Sequence, residues 1–402
     1  MFKERIKTHH SAMSDSRKHL KRMAEAKSIL SLANIEDKKN ATIYIHVPFC
    51  KKICSFCNMR RSLQKPAENY ARLVMQEIEA YAKFEYIKTT TFDAVYFGGG
   101  TPTTLSTEDL CSILDVLKAN LHFTDSAEFT IETTVTELDE EKIQALVAHG
   151  INRFSVGVQT FDDEGRKKMG RIGDGETAYS RLKQLKAYKG ITVSMDLIYN
   201  YPKQTIESLE SDLDKIVALD LDGFSMYSLI NMKESKMEAA QDEENDARMF
   251  YFIAEKMKKH GYHFLELTKM VKNDAYKYIM NRHQGADTLP LGAGAGGSLN
   301  NLAMMNPIEL EKYKESVIDI GKRQGMLFAP EYQEIVRFKG DIQTIHLPKN
   351  ESLYQNREGY EKFKNYLLEE EMICKDVDNE YILTEKGIFW GNTISRKLAE
   401  ML

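Results

Sequence analysis

From Ile43 onward the chain alternates short β-branched or aromatic runs with helical stretches, and no other feature narrows its fold as far. The runs fall at 43–49, 92–97, 128–134, 153–160, 192–199 and 223–229, with helical segments at 66–87, 106–120, 137–149, 176–188 and 204–218. Several segments open on a capping residue. In Ser106-Thr-Glu-Asp a hydroxyl can accept from a free backbone N–H of the first turn. Strands alternating with helices form right-handed βαβ units on a parallel sheet. Six such units by about residue 230 predict an α/β fold, a partial (β/α)6 TIM-like barrel short of the eight units of closure. A doubly wound open sheet is the competing architecture. In either one, ligands gather at the C-terminal ends of the strands.

Around this core (residues 41–235) the texture differs. Residues 1–40 read as a charged, helix-prone leader without an apolar stripe. Residues 236–325 read as an extension of the barrel. It holds a long charged helix over 237–260, a strand at 262–267 and the glycine-rich Leu289-Pro-Leu-Gly-Ala-Gly-Ala-Gly-Gly, taken as a loop. Residues 326–402 read as a helical domain whose strand and turn at 380–387 give it a winged-helix-like end. No basic, base-reading surface accompanies that element, so a packing or substrate-covering role is expected of it.

The net charge of -5 argues against a nucleic-acid partner. No stretch approaches the roughly 20 apolar residues that span a bilayer. The opening Met-Phe-Lys-Glu-Arg lacks the apolar core of a signal peptide. A cytoplasmic protein without a membrane partner is expected.

Three of the five cysteines, Cys50, Cys54 and Cys57, fall within eight residues. Such clustering in a reducing compartment points to metal or redox chemistry rather than disulfides. Cys111 and Cys374 stand alone and read as small hydrophobes. Thiolates spaced three and then two residues apart can hold three corners of a cubane cluster, leaving the fourth iron an open position. Ferredoxin-type carriers use four cysteines, whereas an open metal position can take a substrate. A zinc site is the alternative; it needs a fourth ligand, and His46 lies before the loop, within the strand. Other strand ends carry groups suited to a polar ligand. Gly98-Gly-Gly-Thr lets backbone approach a ligand closely. Glu132 can accept from an amine or a ribose and Asp196 can bind ribose hydroxyls, Gln159 ends a strand, and Arg171 can pair with a carboxylate through its fork.

A CxxxCxxC loop with an aromatic residue before its last cysteine resembles the radical S-adenosylmethionine (SAM) superfamily. Tyr44-Ile-His-Val-Pro-Phe-Cys50, Phe97-Gly-Gly-Gly-Thr-Pro-Thr, Ser155-Val-Gly-Val-Gln-Thr-Phe and Asp196-Leu-Ile-Tyr resemble the oxygen-independent coproporphyrinogen III oxidase subfamily, in that family's order over about residues 40–235. The resemblance implies a [4Fe-4S] cluster on Cys50, Cys54 and Cys57 whose open iron chelates SAM. Reduction of such a cluster cleaves SAM to methionine and a 5′-deoxyadenosyl radical. It further implies that Tyr44, Gly99 and Glu132 contact this SAM, and that Phe56, Gly100, Thr101, Gln159, Arg171 and Asp196 contact a second. One SAM would supply the radical and the other its methyl carbon, as a methylene radical adding to an electron-rich macrocycle.

Four activities share these motifs: coproporphyrinogen decarboxylation, heme chaperoning, class C methylation of aromatic rings and anaerobic heme degradation. Met59 stands where coproporphyrinogen enzymes carry a further cysteine, and Asn200-Tyr201-Pro202 stands where they continue Gly-Leu-Pro. Asn58 replaces the aspartate of the heme-chaperone branch. The glycine-rich segment, followed by Met304-Met-Asn, resembles the heme-utilisation branch, the anaerobilin synthases. The function this implies is anaerobic opening of heme to a linear tetrapyrrole with release of iron, the other three activities being alternatives. Heme or a related tetrapyrrole and a flavodoxin- or ferredoxin-type reductant are the implied partners, and a monomer is expected. Arg60 and Arg61 are candidates for pairing with heme propionates, or form a solvated basic turn. None of His9, His10, His19, His260 and His263 is singled out as a heme ligand.

Overall fold

The computed structural model describes residues 2, 4–7, 20–34, 41–57, 59, 61–230, 237, 242–329, 331–354 and 356–401. Asn58, Arg60, His9, His10 and His19 lie outside the described residues, as do parts of the 1–40 and 237–260 segments.

Chain order begins with β1 (Leu20–Glu25), α1 (Lys27–Leu30), β2 (Ala41–Val47), α2 (Tyr70–Tyr81), α3 (Glu85–Lys88) and β3 (Thr91–Gly99). There follow α4 (Thr107–Asn120), β4 (His122–Thr134), α5 (Glu140–Ala148), β5 (Arg153–Gln159), α6 (Asp163–Lys168), α7 (Gly175–Lys186), β6 (Thr192–Tyr199), α8 (Ile206–Ala218) and β7 (Gly223–Ser228). Strands β2 to β7 pair in parallel, each with the next. Their order never reverses. A doubly wound sheet has a reversal point; strands laid down in sequence order are the winding of a (β/α) barrel. Buried residues succeed one another along β2 and β3, as expected of parallel strands covered on both faces. Ser106 caps α4 as its sequence predicts, its Oγ accepting from the Asp109 N–H at 3.0 Å.

The parallel core continues at both edges. Beyond β7, α9 (Glu243–Lys259) leads to β8 (His263–Glu266) and β9 (Lys269–Val271), and β9 pairs antiparallel with β7. After α10 (Lys277–His283), β10 (Thr288–Leu291) pairs parallel with β2. From β10 the sheet extends antiparallel through β11 (Gly296–Leu299), β12 (Leu302–Met305) and, past α11 (Leu310–Ile318), β13 (Gln324–Phe328) to β1. The result is one 13-stranded sheet with β1 and β8 at its ends. The chain closes with α12 (Glu331–Gln343), α13 (Arg357–Glu369), the hairpin β14 (Ile373–Lys375) and β15 (Tyr381–Leu383), and then α14 (Glu385–Phe389) and α15 (Gly391–Ala399).

Two expectations change. Within the leader taken as helical, residues 20–25 form an edge strand, Glu25 opposite Gln324. An open sheet edge about 300 residues away supplies their hydrogen bonds, which local sequence does not reveal. The glycine-rich segment is two strands and a tight turn rather than a loop. Gly292 has φ +88°, and a Cβ there would lie 2.4 Å from the His46 carbonyl oxygen. Only glycine permits that approach of β10 to β2.

Glu77 of α2 holds this turn. Its carboxylate is fully buried and accepts from the Gly292 N–H (2.7 Å), the Tyr313 hydroxyl (2.5 Å), Asn306 Nδ2 (2.9 Å) and the Arg323 guanidinium. Four donors satisfy a buried charge that would otherwise be prohibitive.

Candidate active site

The cysteine loop leaves β2 and returns beside it. The Cys50 N–H donates to the Ser62 carbonyl at 2.9 Å and the Ser62 N–H to the Pro48 carbonyl at 2.6 Å. Farther along, the Ser55 N–H donates to the Met169 carbonyl at 3.1 Å, tying the loop to the end of α6. Burial pushes the Cys50 and Cys57 thiols up, so these groups need a cationic or metallic partner to ionise. All three thiols are free of disulfides and line one cavity. Cys111 is buried and Cys374 exposed, both away from it.

The glycine turn folds over the same strand end. Gly100 and Thr101 donate to the Val47 and Phe49 carbonyls, each at 2.8 Å, and a Cβ on Gly100 would stand 2.6 Å from Phe49 O. Gly99 has φ +112° and faces the His46 ring, 2.5 Å from where a Cβ would be. Its N–H donates to Glu132 Oε2 at 3.2 Å, while the Tyr96 hydroxyl donates to Oε1 at 2.6 Å. Burial, with the charge of Asp196 nearby, raises the Glu132 carboxyl to about 7 despite these donors. Burial also pushes Asp196 up.

Gln159 and Arg171 complete the wall. Gln159 breaks the register between β5 and β6 and has φ +70°, a left-handed conformation that turns its side chain off the strand. Its buried Oε1 has no partner among the described residues. Arg171 donates through Nη1 to Cys54 Sγ at 3.2 Å and through Nη2 to the Gly157 carbonyl, and its Nε is likewise unpartnered. Free thiols, an arginine directed at one of them, a turn without side chains and orphaned polar atoms fit a cluster with a polar ligand.

Of the residues singled out from sequence, the three cysteines, Phe56, Gly99, Gly100, Thr101, Glu132, Gln159, Arg171 and Asp196 line this cavity of about 1100 Å³. Tyr44 is placed differently. Its ring stacks on Tyr96 and Tyr278 and its hydroxyl pairs with His46 Nδ1 at 2.9 Å, behind the lining groups. Arg61 lines the cavity but is engaged by backbone, donating to the Cys57 carbonyl at 2.5 Å and to that of Met59. It braces the cluster loop.

Tyr276 carried no sequence signal. It lines the cavity in a left-handed conformation (φ 44°, ψ 50°), rare for a bulky residue. Arg153 lies 4.3 Å and Lys269 4.7 Å from its ring centre. Both cations are held by buried Asp274, Arg153 in a fork at 2.9 and 2.8 Å and Lys269 at 3.2 Å. Burial alone would raise Asp274, but Arg153 and Lys269 hold it well below the carboxylate range.

A family model, the radical SAM superfamily, matches residues 44–216. An anaerobilin synthase from Escherichia coli O157:H7 is 30% identical over 380 residues, covering 90% of this chain and 84% of that protein. The heme chaperone HemW of Bacillus subtilis is 29% identical over 69% of this chain and 76% of its own length. An oxygen-independent coproporphyrinogen III oxidase of Salmonella typhimurium is 28% identical over 70% of this chain and 66% of its own. The solved structure of coproporphyrinogen III oxidase (HemN) from Escherichia coli shares the fold, with a TM-score of 0.76 and 22% identity over 90% of this chain and 91% of that one. Among the described residues, no helix is long and apolar enough to cross a membrane. Similarity to one relative across nine-tenths of the chain, and a family match over the strands that carry the cysteines, make this chain a radical SAM enzyme of the group that includes the coproporphyrinogen III oxidases, HemW and the anaerobilin synthases.

Proposed function

We propose that the enzyme opens the heme macrocycle without oxygen, using one SAM as radical source and a second as carbon donor, and yields a linear tetrapyrrole with release of iron. The observation that carries this reading is the convergence of the cysteine loop and nearly all the SAM-contact candidates on one cavity of about 1100 Å³. That is at or above the ~300–1,000 Å³ of ordinary ligand sites. Relatives favour it too: similarity to an anaerobilin synthase spans 90% of the chain, against 69% and 70% for the chaperone and the oxidase.

When bound, the cluster supplies the electron that cleaves SAM. Cys50, Cys54 and Cys57 hold it, and Arg171 donates to the Cys54 sulfur. Glu132, its carboxyl raised by burial to about 7, would accept from the amine of the first SAM beside the Gly99 turn. Gln159 Oε1 and Asp196 offer acceptors to the second, with the Phe56 ring as an apolar face. Tyr332 of α12 and Ile388 of α14, both within residues 326–402, line the cavity where they would cover the substrate.

Anaerobic incubation of reconstituted enzyme with SAM, reductant and heme tests the proposal. Loss of the Soret band with formation of a linear tetrapyrrole is expected. An unchanged heme spectrum beside continuing SAM cleavage would refute heme opening while leaving the radical SAM chemistry intact.

A further inference from the structure

Most cations that line the cavity are already paired. Arg5 and Lys7 hold Asp246 at 2.7 and 2.6 Å, Arg171 is directed at Cys54, and Arg61 braces the cluster loop. Lys52 stands exposed on the outside of that loop. Two others are different, and both lie where α10 packs on α12.

Helix α12 presents one face to the cavity: Tyr332, Val336, Lys339, Gly340 and Gln343 line it at helical spacing. Gln343 is occupied, donating to Asn392 Oδ1 at 3.2 Å. The Tyr332 ring stacks on Phe328 at 3.8 Å between centres and 7° between planes, so the face begins as a flat aromatic wall. Lys339 is its one charge. The side chain is half-buried and makes no hydrogen bond or ion pair with the described residues; its Nζ lies over the Tyr332 ring, 5.6 Å from the centre. Burial lowers the Lys339 ammonium to about 8, as happens when no anion compensates lost hydration.

Beside Lys339 the two helices are in backbone contact. A Cβ on Gly340 would fall 1.8 Å from the His283 carbonyl oxygen. Residue 282, immediately before, is the second cation. Arg282 lines the cavity from an exposed position, forms no salt bridge with the described residues, and donates only to the Tyr278 hydroxyl at 3.2 Å. A partly desolvated ammonium that no carboxylate of the described residues pairs with is costly unless a ligand anion reaches it. A guanidinium at the mouth of the same seam can add a fork-shaped contact.

We propose that Lys339, with Arg282 at the mouth, is the carboxylate pole of the cavity and pairs with the carboxylate side chains of a flat apolar substrate lying against the Tyr332–Val336 face. This rests on the tetrapyrrole reading above and adds to it the part of the ligand that is recognised.

The test compares binding of heme and of heme dimethyl ester to the reconstituted full chain, followed at the Soret band. Esterification removes the carboxylate charges and leaves the ring intact. Wild-type enzyme is expected to prefer free heme by about tenfold or more. Arg282→Met with Lys339→Met should abolish the preference, and Lys339→Arg alone should retain it. Equal affinity of the wild type for acid and ester would overturn the proposal without any variant. Persistence of the preference in the double variant would overturn it as well. If heme does not bind, the same comparison with coproporphyrin and its methyl ester separates the two readings. A preference for the acid that the double variant loses sustains the pole and refutes heme as substrate. Binding of neither porphyrin refutes both.

Discussion

The Tyr96 hydroxyl donates to Glu132 Oε1 at 2.6 Å, and this bond keeps the carboxyl, raised to about 7, from rising further. SAM affinity should therefore increase as pH rises through about 7, because only the carboxylate accepts fully from an amine. Tyr96→Phe should move that midpoint upward. Glu132→Gln should weaken SAM binding about tenfold and flatten its pH dependence, read by calorimetric titration. Stability has the opposite sign. The folded-state value lies above the ordinary 4.5, so the contribution of Glu132 to stability is present below 4.5 and lost as pH rises to about 7. The stability of Glu132→Gln relative to wild type should grow over that interval.

Arg171 brings a positive charge and an N–H to Cys54 Sγ at 3.2 Å. Both favour the more negative, reduced form of a cluster on that sulfur. Arg171→Leu should lower the reduction potential by roughly 60 mV, the one-electron equivalent of about 1.4 kcal/mol. Cys54→Ala should abolish cluster assembly and SAM cleavage together. Spectroelectrochemistry and the iron content of the two variants check these outcomes.

Glu77 is a purely structural charge with four donors converging on it. Glu77→Ala leaves the buried Arg323 guanidinium without its counter-charge and the Gly292 N–H without its side-chain acceptor, and should destabilise the fold by about 3–5 kcal/mol. Gly292→Ala adds a Cβ 2.4 Å from the His46 carbonyl in a left-handed conformation, and should cost about 2 kcal/mol or more. Denaturant titration of each variant against wild type gives both values.

The six parallel strands were legible because each is a continuous apolar run, and the cysteine loop because its spacing is local. Glu77 was not read from sequence, although it occupies an apolar position of α2 between Val74 and Ile78 on one side and Tyr81 on the other. That misplaced charge was the available signal. Its partners lie 215 and 246 residues away, beyond the reach of any local pattern. The same distance hid β1, whose pairing partner is β13, and Arg153, whose partner Asp274 is 121 residues on. The glycine-rich segment misled for a physical reason. Glycines that permit close approach of backbones look the same in sequence as glycines that confer freedom.

Asp274 organises the cations that flank Tyr276. Asp274→Asn should leave buried Lys269 without its ion pair and Arg153 with only Glu128, 3.9 Å away, and cost about 3–5 kcal/mol at neutral pH. Because the folded-state carboxyl is held below its usual range, its contribution is present above the ordinary aspartate value of 3.8 and fades only under stronger acid. The deficit of the variant should therefore stay nearly constant from pH 8 to 5, as checked by thermal melts across that range.

The most direct test of heme opening with a SAM-derived carbon is mass spectrometry of the product formed from heme and methyl-deuterated SAM. A linear tetrapyrrole that carries a deuterated carbon, with deuterium also in the 5′-deoxyadenosine, is the predicted result. Intact heme beside unlabelled 5′-deoxyadenosine would contradict it.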